Sequence, residues 1–205
     1  MLDLVIDVRP ASLGNGFTVK RILPYQLRRM LGPFIFMDHG GPVSIDPNQI
    51  TNMDVLPHSY IGLSTVSYLF DGQVTHRDSL GVQQLIRPGE VNWMTAGSGI
   101  AHSERFEDPA MLAGQTWVAL PEADEESTPT FDNYHPHELP IFTDKGIWMR
   151  LIAGDAFGLH NAVKTHSPLF YTHVVLQTGT RFGLPTGFPE DRSRPAGTPP
   201  PQPLS

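Results

Sequence analysis

An all-β fold is the class this sequence predicts, and three observations predict it. Proline and glycine are dense, 20 and 19 among 205 residues, which suits frequent turns and opposes a helical bundle. Apolar residues recur in short alternating runs, as in Ser64–Phe70, where Val66, Tyr68 and Phe70 would share one face. Turn signals such as Asn15-Gly16, Asp71-Gly72 and Pro88-Gly89 separate those runs.

Taken in order, residues 2–20 alternate weakly around Gly14-Asn15-Gly16, a hairpin turn between two edge strands. Phe34–Met37 is short and apolar, a buried strand that Asp38-His39-Gly40-Gly41-Pro42 should end, with Asp38 stabilising the turn and His39 packed. Ser64–Phe70 and Gln73–Ser79 flank Asp71-Gly72 and read as a hairpin with a type I′ turn. Val82–Ile86 and Val91–Met94 flank Pro88-Gly89 and read as a second antiparallel pair. Met111–Leu120 is another strand, with Thr116 and Val118 on one face, Gln115, Trp117 and Ala119 on the other, and Pro121 as its end. Residues 122–140 turn acidic and Pro-rich, the composition of a linker. Within it His135-Pro136-His137 imitates a ligand pair but reads as a flexible surface pair. Ile147–Ala153 and Phe170–Gln177 are further strands. From Gly187 to Ser205 proline dominates, and an extended or disordered tail is expected.

Composition narrows the function. The apolar share is 40% and the formal charge −7, which opposes direct nucleic-acid binding, a contact that needs clustered cations. The best basic cluster, Lys20-Arg21 with Arg28-Arg29, reads as a solvated face. With no cysteine, disulfides, thiolate metal sites and thiol catalysis are excluded. No secretory leader and no apolar run of membrane-spanning length is legible, so a soluble cytoplasmic protein is the expectation.

Chemistry enters at Arg87–Glu104, RPGEVNWMTAGSGIAHSE. Strand residues two apart share a face, so His102 and Glu104 project together while Ser103 points away. Pro57-His58-Ser59-Tyr60 repeats that spacing, placing His58 beside Tyr60. A lone strand histidine is usually a packed side chain, so the weight rests on the pair of strands. If they face each other across a small barrel, four side chains converge on one point, an arrangement that suits a first-row transition metal with open positions, as in non-haem iron oxygenases. His76, on the strand after Asp71-Gly72, reads as a supporting or packing residue.

The segments Gly32–Val43 (GPFIFMDHGGPV), Pro57–Gly81 (PHSYIGLSTVSYLFDGQVTHRDSLG), Arg87–Glu104, Gln115–Pro121 (QTWVALP) and, more loosely, Arg150–Tyr171 together resemble the pirin family of the cupin superfamily. That resemblance implies a cupin-type jelly-roll barrel over residues 1–121, a linker over 122–140, an incomplete second cupin-like barrel over 141–186 and the Pro-rich tail over 187–205. Because family members continue through a whole second barrel, a truncated or altered C-terminal barrel with open sheet edges is expected here. The family's metal pattern falls on His58, Tyr60, His102 and Glu104. Tyr60 departs from it, standing where the family has histidine, with Ser59 in place of proline. Ser64 occupies the place at which many metal-binding cupins carry a glutamate, which leaves Glu104 as the one carboxylate of the set and a candidate catalytic base.

The implied cofactor is Fe(II), or another divalent transition metal. The implied activity is that of a quercetin 2,3-dioxygenase, opening the ring of a flavonol-like small aromatic substrate with release of carbon monoxide. A different class is also implied: a non-enzymatic, metal- or redox-responsive co-regulator that binds a protein partner. A paralogue with a degraded, vestigial metal site is the third reading, and Tyr60 is its motive.

Overall fold

In the computed structural model, which describes residues 4–13 and 17–184, the chain divides into two compact units, Met1–Pro136 and His137–Ser205. The first holds eleven strands: β1 Arg9–Ser12, β2 Thr18–Leu23, β3 Phe34–Ser44, β4 Val55–Tyr60, β5 Leu63–Asp71, β6 Val74–Asp78, β7 Gln83–Ile86, β8 Val91–Thr95, β9 Ile100–Phe106, β10 Ala110–Ala119 and β11 Thr130–Tyr134. One sheet runs β1-β2-β3-β10-β5-β8-β11 and the other β4-β9-β6-β7. Successive strands mostly alternate between the two sheets, and the eight strands β3–β10 divide four and four, which is the double-sheet jelly roll expected from the sequence.

The apolar alternation builds the space between the sheets. Val19 from β2, Leu69 from β5, Val74 from β6, Ile86 from β7, Phe106 from β9 and Met111 from β10 pack into one cluster with Phe17. These residues come from both sheets, so burying them removes apolar surface that neither sheet could hide alone.

Two expected hairpins are corners instead. β5 and β6 flank Asp71-Gly72, yet β5 pairs with β10 and β8 while β6 pairs with β7 and β9. Gly72 has φ +84°, and a Cβ there would collide with the Ala110 carbonyl oxygen. The chain therefore turns hard against the start of β10 and passes to the other sheet rather than folding back on itself. β7 and β8 likewise enter different sheets: the Pro88-Gly89 turn closes with Glu90 N–H donating to Arg87 O at 3.1 Å, while Gly89 N–H donates to Leu69 O at 2.7 Å. The hairpin in this region is β6–β7.

β3 does not stop at Asp38. It continues to Ser44, because Asp38 lies opposite Arg21 of β2 and its carboxylate accepts two bonds from that guanidinium, at 2.9 and 2.8 Å. A paired carboxylate can stay in a strand interior where a lone one would be expelled. Arg21 is accordingly no solvated cation; it also caps the Phe36 ring at 4.6 Å. β1 and β2 pair, with Ala11 opposite Val19, but only β1 is an edge strand, since β2 also pairs with β3; Gly14-Asn15-Gly16 lies outside the described residues.

Within residues 122–140, β11 pairs with β8 as the edge strand of the large sheet, so this acidic stretch is part of the first unit rather than a free connection up to Pro136. His135 is exposed at the surface, as expected, and its Nδ1 meets Glu90 Oε1 at 3.0 Å. The second unit is a sheet built on β13 (Ile147–Ala156), flanked by β12 (Ile141–Asp144) and β15 (Phe170–Leu176), with the short β14 (Leu159–His160) pairing at its end. Met149, Leu151, Ile152 and Ala153 of β13 are buried. The expected tail over 187–205 lies outside the described residues.

The corner at Gly72 gives a direct check. Gly81 has nearly the same φ, +86°, but a methyl group placed on its Cα would meet nothing within 4 Å. Gly81→Ala should cost about 1–2 kcal/mol from left-handed strain alone, and Gly72→Ala at least about 1 kcal/mol more, since a backbone carbonyl must move. Urea melts of the two variants measure the difference; equal losses would mean that the corner does not press on β10.

Candidate metal centre

The small sheet places the candidate residues by register. β4 and β9 are not opposed across the barrel, as the spacing first suggested, but adjacent and antiparallel, with His58 directly opposite His102. On the other side of β9, β6 sets His76 opposite Glu104 and Asp78 opposite His102. Residues directly paired across a ladder project to the same side. One face of three neighbouring strands therefore carries three imidazoles and two carboxylates, with Tyr60 two residues beyond His58.

A β-bulge makes this possible. Between Val55 and His58 the register slips against Glu104 and His102, so one extra residue enters β4. Val55 and His58, three apart, then both reach the same cavity.

His58 Nε2 lies 3.1 Å from His102 Nε2 and 3.2 Å from the Tyr60 hydroxyl. His102 Nδ1 lies 3.3 Å from His76 Nδ1, whose Nε2 faces Asp78 Oδ2 at 3.0 Å. One ligand atom each from His76, His102 and Glu104 fall within 4.8 Å of one another. His102 is thus the hinge of the cluster, with His58 and Tyr60 on one flank and His76 and Glu104 on the other. The structure brings His58, Tyr60, His102 and Glu104 to one region; it also brings in His76 and Asp78. The sequence signal for those two was the same two-residue spacing, in His76-Arg77-Asp78, on a strand whose neighbour could not be read locally.

The protons can be traced. Leu56 O can only accept, so His58 Nδ1, 2.9 Å away, carries its hydrogen and His58 Nε2 is left as a lone pair. His102 is buried, and that burial, with the neighbouring His58 and His76, pushes its pKa down to about 3, so the ring is neutral and has one N–H to give. Burial, followed by the charge of Glu104, raises the Tyr60 phenol above its ordinary value; its hydroxyl stays protonated and donates to His58 Nε2. Burial also raises the Glu104 carboxyl, a shift tempered by His76, His58 and a hydrogen bond with Ser67.

The donor set fits a transition metal. Two imidazoles turn Nε2 atoms on each other at 3.1 Å, and ligand atoms at right angles around an ion with bonds of ~2.1 Å stand about 3.0 Å apart. A carboxylate and a phenol oxygen adjoin them, and soft thiolates are absent. This combination suits iron or a neighbouring first-row ion, not calcium or magnesium.

The site opens on a cavity of about 480 Å³ lined by His58, Tyr60, His102 and Glu104 together with mostly apolar side chains. Trp117 stacks on Phe36 at 4.0 Å with 14° between the rings, and meets Tyr60 edge-on at 5.2 Å. Other polar groups are few: Ser67 donates to Gln115 at 2.7 Å, and Asp38 and Asp54 also reach the wall. A flat aromatic molecule of modest size matches such a space.

The pirin family model matches residues 16–118. A pirin-like protein of Caulobacter vibrioides is 51% identical over 196 residues, covering 93% of this chain and 68% of its own length. A crystal structure of a quercetin 2,3-dioxygenase from Acinetobacter baumannii superposes with a TM-score of 0.77 at 39% identity, covering 82% of this chain and 56% of that one. A second structure of that description from the same organism gives 0.72 at 29% identity, with 82% and 61% covered. The chain thus spans little more than half of those solved structures. With the model match running through the jelly roll and both ligand strands, and a relative more than half identical over nearly the whole sequence, the chain belongs to the pirin family.

Proposed function

We propose that the chain is a metal-dependent dioxygenase of the quercetin 2,3-dioxygenase type, opening the ring of a flavonol-like substrate, with iron held by His58, His102, Glu104 and Tyr60. The observation that carries the reading is the pair of imidazole nitrogens facing each other at 3.1 Å on the wall of an apolar, aromatic-lined cavity. Iron bound there would supply Lewis-acid polarisation of the substrate's adjacent oxygens and a route for dioxygen chemistry.

The chain's own residues would do the rest. Trp117 and Phe36 offer a stacked aromatic wall for the substrate rings. Glu104 would contribute negative charge and, with its carboxyl raised by burial, suits acceptance of the substrate hydroxyl proton. The apolar lining excludes water from the reacting carbons. Tyr60 sets the affinity: its O–H already occupies the His58 Nε2 lone pair, so metal binding must displace that proton.

Tyr60 also favours the second reading. A phenol held above its ordinary pKa is a poor ligand for Fe(II) and a better one, as phenolate, for a ferric ion, which suits a redox-responsive protein without turnover that acts on a protein partner.

Three measurements test these readings. The protein incubated anaerobically with Fe(II) and desalted should retain iron in about equimolar amount, and aerobic addition of quercetin should give absorbance decay with carbon monoxide release. His102→Ala should abolish both. Iron retained without decay would favour the redox-responsive reading, and neither iron nor decay would mark a vestigial site. Tyr60→His should tighten Fe(II) binding by about tenfold or more, because a neutral imidazole needs no proton displaced; unchanged affinity would mean that position 60 does not reach the metal.

The metal-free protein carries a pH signature. Between pH 6.5 and about 3, an unfolded chain takes up a proton at residue 102 that the native one refuses, so the unfolded state binds more protons and stability falls as pH drops through this window. Glu104 acts oppositely: its carboxyl is raised above 4.5, so stability falls as pH rises through its native pKa. Glu104→Gln should therefore raise the melting temperature of the metal-free protein at pH 7.5 while weakening metal binding; a lower melting temperature would contradict the cost assigned to the buried carboxylate.

A further inference from the structure

We propose that His76 and Asp78 are positioning residues that hold His102 in the tautomer with hydrogen on Nδ1, leaving its Nε2 lone pair aimed at the point shared with His58. The inference rests on the metal site proposed above, and concerns residues that no part of that reading uses.

The chain of donors starts in the backbone. Asp78 Oδ1 accepts from Leu80 N–H at 2.9 Å and Val82 N–H at 3.1 Å, which fixes the carboxylate in the turn after β6 and leaves Oδ2 for His76 Nε2. Both side chains are almost wholly buried, at 2% and 0% exposure, so no water competes for these bonds. With Nε2–H given to Asp78, the His76 ring has Nδ1 left as an acceptor, and His102 Nδ1 faces it at 3.3 Å. The other acceptor within reach, His58 Nε2 at 3.1 Å, already takes the Tyr60 hydroxyl hydrogen, so His102 gives its single hydrogen to His76. Its Nε2 is thereby bare.

The alternative is that His76 is itself a ligand, grouped with His102 and Glu104. Three observations favour the positioning role. The His76 ring is stacked on Phe131 at 4.2 Å and 20°, so it is clamped without any ion. Its Nε2 is committed to Asp78. And it does not line the cavity, which His58, Tyr60, His102 and Glu104 do, so an ion on the His76 flank would have no open position facing the substrate space. A histidine whose remote nitrogen is fixed by a hydrogen-bonded partner is a better oriented ligand, and losing such a partner costs about 10–100-fold in metal affinity.

The test uses metal-free protein labelled with ¹⁵N-histidine, the His102 tautomer being read from long-range ¹H–¹⁵N correlations at pH 7.5. Wild type should show His102 with Nδ1–H. His76→Phe keeps a ring against Phe131 but removes the acceptor, and His102 should become a mixture of tautomers. Asp78→Asn must turn an amide N–H toward either the Leu80 and Val82 amides or the His76 ring; taking the second, it reverses the His76 tautomer and drives His102 to Nε2–H. Fe(II) affinity by anaerobic calorimetry should fall about 10–100-fold in both variants, with backbone amide spectra showing the fold retained. His102 keeping Nδ1–H in both variants would overturn the proposal, as would a loss of affinity in His76→Phe equal to that in His58→Ala with no tautomer change, which would mark His76 as a ligand. Should wild type bind no Fe(II), the dioxygenase reading fails, and the tautomer measurement still decides this inference by itself.

Discussion

The antiparallel register of β4, β9 and β6 is the constraint on which the rest depends. It sets His58, His102 and Asp78 side by side across three strands, with His76 and Glu104 as the next row. Each candidate ligand sits on a strand, fixed by ladder hydrogen bonds in a sheet that is itself closed against a second sheet. Such rigid support is what a site needs if its donor atoms are to stand at the edge lengths of a coordination polyhedron before an ion arrives.

The jelly roll also explains how one cavity can be greasy and reactive at once. The seven-stranded sheet contributes the aromatic wall, Phe36 from β3 and Trp117 from β10, while the four-stranded sheet contributes the donors. The inward positions of the two sheets carry different chemistry. The Arg21–Asp38 pair belongs to this arrangement: it gives a cationic partner to the carboxylate that β3 turns toward the cavity.

Much of the site was legible in the sequence because the information was local. His58 with Tyr60, and His102 with Glu104, follow from a period of two on short strands, and the faces of β10 follow likewise. What was not legible was pairing. Asp71-Gly72 and Pro88-Gly89 carry the chemistry of tight reversals, and the chain does reverse there, but a reversal into the same sheet and a crossing to the opposite one use the same residues. The choice is made by Ala110 and Leu69, far along the chain or in another strand. For the same reason β4 and β9 were expected to face each other and are neighbours, and His76 gained its place only when β6 docked on β9. The acidic stretch before Pro136 misled through composition, since β11 sits at a sheet edge where polar residues are tolerated.

The bulge between Val55 and His58 has a consequence for how this centre could be lost. Side-chain direction along β4 depends on the parity of residue count, and the bulge absorbs the one additional residue so that Val55 and His58, three apart, both face inward. Removing one residue from Leu56-Pro57 would leave an unbroken ladder in which the two still share a face. Losing the bulge at unchanged length would instead turn the imidazole outward, with every donor still encoded, and an inventory of ligand residues would not detect it.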